Sequence, residues 1–253
     1  MVVLMLTNKN MNLKNTFFTL IISMICVMSY SQDRKVAVVT FYADKTIDLS
    51  QVSPTADFIA RNTELSESES FNLKEPLKKF HNEFFENYVK NFPFEVLEEK
   101  EVTNNENYKA YTPDYKKDLL PHVEALFETI DGYKVLRQTK TVVEDLTAMA
   151  DKLGVDGIMF VYLNFDFNKT GVGKFGYFSI RAHVEIDLYD KKGKSVFLFN
   201  ELAGSTKKAV MVGGIPVMSP DKIQPMCESA IENLMEDLDK KIERLSKKVD
   251  RKF

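Results

Sequence analysis

Residues 141–167 read TVVEDLTAMADKLGVDGIMFVYLNFDF, and this stretch decides the fold. Val142, Val143, Leu146, Met149, Ala150 and Leu153 recur at helical spacing, which gives one apolar face. The turn Leu153-Gly154-Val155-Asp156-Gly157 ends that helix, because glycine enters the left-handed conformation without the cost of a Cβ. Ile158-Met159-Phe160-Val161-Tyr162-Leu163 follows at once, an unbroken apolar run suited to a strand covered on both faces. Helix, glycine stop and buried strand in so short a space predict an α/β unit that delivers a strand to the middle of a sheet.

Downstream, Asn164-Phe165-Asp166-Phe167 alternates as though one face of the strand were emerging into water. Residues 178–188 alternate throughout. Phe178, Ile180, Ala182, Val184, Ile186 and Leu188 point one way, and Ser179, Arg181, His183, Glu185 and Asp187 the other, the pattern of a half-buried antiparallel strand. Lys191-Lys192-Gly193-Lys194 turns the chain, and residues 195–201 return as its hairpin partner. A last helix is predicted over 221–248. Its seam of Cys227, Ile231, Leu234, Leu238, Ile242, Leu245 and Val249 follows an eleven-residue repeat, so the stripe stays on one side and can cover a sheet along its length.

Upstream, Lys35 to Tyr42 is β-branched, aromatic and nearly continuous in apolarity, a first strand. Residues 44–70, rich in Ser and Glu, read as a solvated loop with one helical turn near 56–61. Leu73, Leu77, Phe80, Phe84, Tyr88 and Phe92 form the stripe of a helix, with His81 and Phe85 at its edge, and Pro93 ends it. Residues 94–97 open a short second strand. Glu98, Glu99 and Glu101 read as its solvated continuation, since neighbouring acids on a strand diverge and hold no common ion. Residues 104–136 read as an insertion, with a short helix at Leu119, Val123 and Phe127 and a brief strand at 132–136. The expectation is one α/β (α+β) domain over 32–253. It has a single mixed sheet of about five strands, in the order β-α-β-α-β-β-β-α, with the long C-terminal helix packed on it.

The chain begins with the pattern of a signal peptide. Lys9 and Lys14 precede an apolar run over 17–28, and Ser29 and Ser31 are small residues placed for a cut after Ser31. The run is shorter than the about 20 residues of a membrane span, which argues against the rival reading, a retained anchor. Met11 is an alternative start. Cys26 raises lipidation, against which the bulky Ile25 argues. Removing residues 1–31 takes two lysines from a net charge of −3 and leaves −5, which disfavours a nucleic-acid partner. Cys227 is then the one remaining cysteine, so no intrachain disulfide forms and the fold rests on packing.

No stretch offers a convergent catalytic, cofactor or metal pattern. Gly171-Val172-Gly173-Lys174-Phe175-Gly176 matches GxGxxG but links two strands and opens no helix, so it lacks the N-terminus that holds a pyrophosphate. His183, Glu185 and Asp187 share a strand face and make the best metal-like row, although such a row reads first as a solvent-facing polar ladder; His183 and Glu185 are the candidates for a loop-assembled hydrolase site. Phe165, Phe167 and Phe175 are candidates for the wall of an apolar-ligand carrier. The apolar, glycine-broken segment 209–218 is a candidate contact surface through Met211, Ile215, Val217 and Met218. The basic last turns, Lys240, Lys241, Arg244, Lys247, Lys248, Arg251 and Lys252, match the helix dipole or touch a membrane surface.

Lys35-Val36-Ala37-Val38-Val39-Thr40-Phe41, and the Leu153–Gly157 turn with its strand, resemble bacterial envelope proteins of the CsgG-like family. The N-terminal domain of TolB and penicillin-binding-protein activator lipoproteins are similar in the same way. The resemblance implies an exported, non-enzymatic domain, periplasmic or associated with the outer membrane, with an extracellular location as the alternative. Its partners would be other envelope proteins or further copies of itself, with no cofactor and no nucleic acid. The chain departs from the family in lacking a lipobox, in residues 104–136, and in having no pair of long amphipathic hairpins to build a pore.

Overall fold

The computed structural model describes residues 34–50, 55–113, 125–171, 176–211 and 219–250. The glycine-stopped unit forms as the periodicity predicts. Helix α5 (Lys140–Leu153) is capped at its start by the Thr139 side chain and closed by Gly154 at φ 69°. Strand β4 (Gly157–Thr170) leaves it directly. β4 is third of five in the sheet order β2-β1-β4-β5-β6. It runs parallel to β1 (Lys35–Asp48) on one side and antiparallel to β5 (Tyr177–Asp190) on the other. β5 in turn pairs with β6 (Ser195–Gly204), completing the hairpin. Short strands finish the margins. β2 (Glu95–Val96) and β3 (Phe127–Thr129) both pair with β1, and β7 (Ala209–Val210) pairs with the start of β5.

Two cores lie on opposite faces of this one sheet. The larger packs the inward residues of all five long-path strands against α1 (Ala56–Glu67), α2 (Lys74–Glu83) and the C-terminal helix α6 (Pro220–Asp250). Phe41 is its centre, within 5.6 Å (ring centroids) of Phe80 and Phe84 and edge-on to His81 at 4.9 Å. The smaller core gathers Ala37, Val39, Ile158 and Phe160 beneath α5, α3 (Glu99–Thr103) and α4 (Glu106–Ala110). β4 is buried on both sides over Gly157–Val161 because it lies between both cores along that length, as the neighbouring β1 does over Val36–Ala43.

Several local expectations are corrected. Residues 56–67 form a full helix rather than a loop, because Phe58, Asn62, Leu65 and Ser66 bury against β1. Asn62 and Ser66 donate to the carbonyls of Ile47 and Lys45. The stripe Leu73 to Phe92 is buried throughout, but the helix does not run straight. Steps of four residues exceed the 3.6 period, and a π turn at Phe84–Tyr88 followed by a 3-10 turn at Val89–Asn91 takes up the excess. Glu99 and Glu101 lie on a helix, not a strand edge, and the Glu99 carboxylate meets His81 Nε2 at 2.6 Å. Within 104–136 the strand is β3, not 132–136. The latter segment is stitched to β1 by Thr40, which donates to the Lys134 carbonyl and accepts from the Leu136 N–H. Leu119 and Val123 lie outside the described residues, as do residues 1–33.

Candidate functional site

Beyond the shadow of α5, the sheet face opposite α6 is left bare by the described helices. Register fixes what stands there, because residues paired across strands share a face. Tyr162 lies beside Glu185 and Asn200, Asn164 beside His183 and Leu202, and Asp166 beside Arg181 and Gly204. Tyr177 and Val210 close one end, and Asp187 and Leu198 the other. Two register shifts in β1 shape the margin. The one between Ala43 and Ile47 buries Lys45 on the covered side, where its ammonium donates to the Ser68 carbonyl. Asp44, Thr46 and Asp48 then line an open groove of about 440 Å³ with Asn164, Phe165, Asp166, His183 and Glu185.

The charges in this face are largely matched. Arg181 clamps Asp166 through two bonds of 2.8 and 2.6 Å, and His183 Nε2 reaches the same carboxylate at 3.0 Å. Burial alone would raise the Asp166 pKa. The hydrogen bonds from His183 and Arg181 outweigh it and hold the carboxyl below its ordinary range. Glu185 accepts from the Tyr162 hydroxyl at 2.7 Å and from the Asn164 amide at 3.0 Å. Tyr162 is itself stacked on Tyr42, 5.4 Å between centroids. Burial, then the Glu185 acceptor, push its phenol well above the ordinary tyrosine range. Asp187 is the exception. It is 1% exposed, and neither carboxylate oxygen has a hydrogen-bond partner among the described residues. Burial pushes its carboxyl up to about 6, opposed by the nearby Gln138 amide and reinforced by the Glu185 charge.

Of the sequence candidates, His183 and Glu185 do stand side by side on this face. Asp166 joins them, which strand alternation alone did not single out. The histidine–carboxylate contact is the start of a hydrolytic relay, but Asp166 is already held by Arg181. The nearest serine on the strand face, Ser179, is buried four residues away, about 13 Å along the strand. Phe165 and Phe167 are buried in the larger core, Phe167 against Phe58 and Phe178, and of the two only Phe165 borders the open groove. Phe175 lies outside the described residues.

Met211 is 5% exposed and packs into the larger core, which removes its side chain from the surface. Ile215, Val217 and Met218 lie outside the described residues. Cys227 is a free, buried thiol whose pKa burial drives upward. In the last turns Lys240 pairs with Asp237 and Lys241 with Glu201, while Arg251 and Lys252 lie outside the described residues. Among the described residues, no cluster of three His, Cys, Asp or Glu side chains is gathered to hold a metal ion. No helix there is long and apolar enough to cross a membrane.

The residues that sequence reasoning missed are apolar. Tyr177, Leu198, Leu202 and Val210 are 54, 65, 44 and 60% exposed, and all four stand on the bare face. Alternation in Leu198-Phe199-Asn200-Glu201-Leu202 is their signal, masked by the continuous Val196-Phe197-Leu198-Phe199 run before it. No protein-family model and no curated protein matches the chain.

Proposed function

We propose that this chain is a non-enzymatic binding or assembly module of a bacterial cell envelope, whose contact surface is the bare sheet face over β4, β5 and β6. One observation carries the reading. Of the five large hydrophobic side chains exposed among the described residues, four stand on that face, Tyr177 and Val210 at one end and Leu198 and Leu202 along its outer strand, on either side of the matched Asp166–Arg181–His183 ladder. Exposed apolar side chains concentrated on one face, with matched polar groups between them, mark a surface that another macromolecule covers. Because its charges are already bonded to one another, the ladder costs little further ordering on contact. The envelope setting rests on the expected signal peptide over residues 1–31 and on the CsgG-like resemblance. Against the hydrolase reading, Asp166 beside His183 is already held by Arg181 and Ser179 is buried farther along the strand, and the carrier reading loses the rings of Phe165 and Phe167 to the core.

The test is crosslinking and affinity capture from the native envelope, comparing wild type with Tyr177→Asp/Leu202→Asp and with Met211→Asp/Ile215→Asp. The first pair should lose partners while keeping a native circular dichroism spectrum. Equal capture by wild type and the first pair would remove the bare face from consideration. Fractionation of the expressing cell tests export, and a chain found in the cytosol with residues 1–31 attached would sink the envelope setting.

A further inference from the structure

We propose that the outer edge of β6 pairs antiparallel with β6 of a second copy, joining two sheets into one about a two-fold axis at Asn200. The inference rests on the reading of this face as a contact surface and names the occupant at its margin.

The main-chain geometry comes first. Ser205 N–H donates to the Ile180 carbonyl at 2.8 Å, in the same register that places Gly204 opposite Arg181. In an antiparallel ladder, hydrogen-bonded and non-bonded pairs alternate. Phe197, Phe199, Glu201 and Ala203 therefore direct their amides and carbonyls at β5, and Leu198, Asn200, Leu202 and Gly204 direct theirs outward. The Gly204 carbonyl bears this out, since it accepts from Asn233 Nδ2 of α6 at 2.7 Å. Among the described residues no strand pairs with the outward groups of Leu198, Asn200 and Leu202.

Exposed edges are ordinarily blunted by proline, lysine or a bulge. From Phe197 to Gly204 this edge has none of them, and its register shift lies earlier, at the turn end of the strand. Its side chains are also self-complementary. Setting Asn200 against Asn200 of the second copy brings Leu198 against Leu202 and Leu202 against Leu198. All three positions have outward main-chain groups, so each opposed pair can exchange both bonds. An isologous two-fold contact needs that palindrome.

Charge and area favour a second copy as the occupant. Two processed chains of net charge −5 repel wherever like charged patches meet, so self-association requires a neutral strip. β6 provides one. Its single charged residue, Glu201, lies on the α6 side and is bonded to Lys241 at 2.7 Å. Pairing two such strands, with Leu198 and Leu202 closing on each other, buries on the order of 1,000 Å² across both copies, the lower limit for a specific interface. The predicted dimer is therefore weak and dependent on concentration.

Sedimentation equilibrium of the native, processed chain between about 1 and 100 µM should show the mass rising from one copy to two. Leu198→Lys/Leu202→Lys should raise the dissociation constant at least 100-fold. Asn200→Pro should do the same, because it deletes an N–H that β5 does not use. If either variant folds poorly, Asn200→Cys is the independent arm. It should form a disulfide-linked dimer under mild oxidation, since the residue on the axis meets itself, whereas Ser195→Cys should not. Wild type at single-copy mass throughout the range, a dimer indifferent to the lysine pair, or crosslinking through Ser195→Cys but not Asn200→Cys overturns the proposal. A single-copy chain that still captures a partner through Tyr177 and Leu202 defeats the pairing alone. A dimer that captures nothing leaves the pairing standing and defeats the wider reading.

Discussion

Asp187 is a carboxylate placed among groups that do not welcome its charge. Phe160 and Leu198 flank it across the sheet, Tyr162 and Tyr189 lie near, and Glu185 adds like charge. Its folded pKa of about 6 lies above the ordinary 3.8, so the folded chain holds the proton over a range where the unfolded chain has released it. Stability from this group is complete below about pH 4 and is lost as pH rises through 6. Asp187→Asn should flatten that limb and raise stability at pH 7.5 by up to about 3 kcal/mol. Urea unfolding at pH 4.5 and 7.5 reads it directly, and an unchanged difference between the two pH values would refute the assignment. Asp166 works in the opposite sense. Its lowered pKa supplies stability above the ordinary carboxylate range that is lost only in stronger acid. Asp166→Ala strands Arg181 and should cost about 3 kcal/mol, since removing one partner of a largely buried pair leaves the other uncompensated. A loss under 1 kcal/mol in the same measurement would mean that the ladder is solvated rather than structural.

The joints between elements carry distinct kinds of cost. Gly154 closes α5 at φ 69°, and a Cβ there would meet nothing within 4 Å. Gly154→Ala is therefore a purely conformational change, and thermal unfolding should register about 1 kcal/mol. Gly176, at the start of β5, has φ 152°, and a Cβ on it would run into the Thr170 carbonyl oxygen. Gly176→Ala should cost clearly more than Gly154→Ala, and the reverse order would contradict the tight Thr170–Gly176 approach. At this scale much was legible in advance. The alternation of β5 and the stop at Gly154 are local patterns and formed as expected. The helix over 56–67 was not legible, because its Ser and Glu residues resemble a solvated loop until β1 supplies carbonyls for Asn62 and Ser66. The stripe from Leu73 to Phe92 was legible as buried, but the π turn that keeps it buried shows only as a surplus of four-residue steps.

For the whole molecule, the larger core concentrates risk at its aromatic centre. Phe41 contacts Phe80, His81, Phe84, Phe85 and Tyr133, so Phe41→Ala opens a cavity that five neighbours cannot fill together. It should destabilise by about 4 kcal/mol in denaturant unfolding. Leu198→Ala, on the bare face, should change the isolated chain by less than about 0.5 kcal/mol, because its side chain already stands in water. Similar losses for the two would contradict the division between core and contact face.

By itself the sequence determined the principal elements, β1, α2, α5, β4, β5, β6 and α6, and their order, but not α1, α3, α4 or β3. It made β4 the covered middle strand and laid α6 over a sheet, because periodic apolarity is a local record of which side of each element is dry. Only the tertiary structure decided which dry sides meet and which stretch of sheet no described helix reaches. The pairing of His183 with Asp166, the bond between His81 and Glu99, the isolation of Asp187 and the outward edge of β6 all depend on register between distant segments. Register is fixed by the sum of many weak contacts across the sheet, and no single stretch of the chain contains that sum.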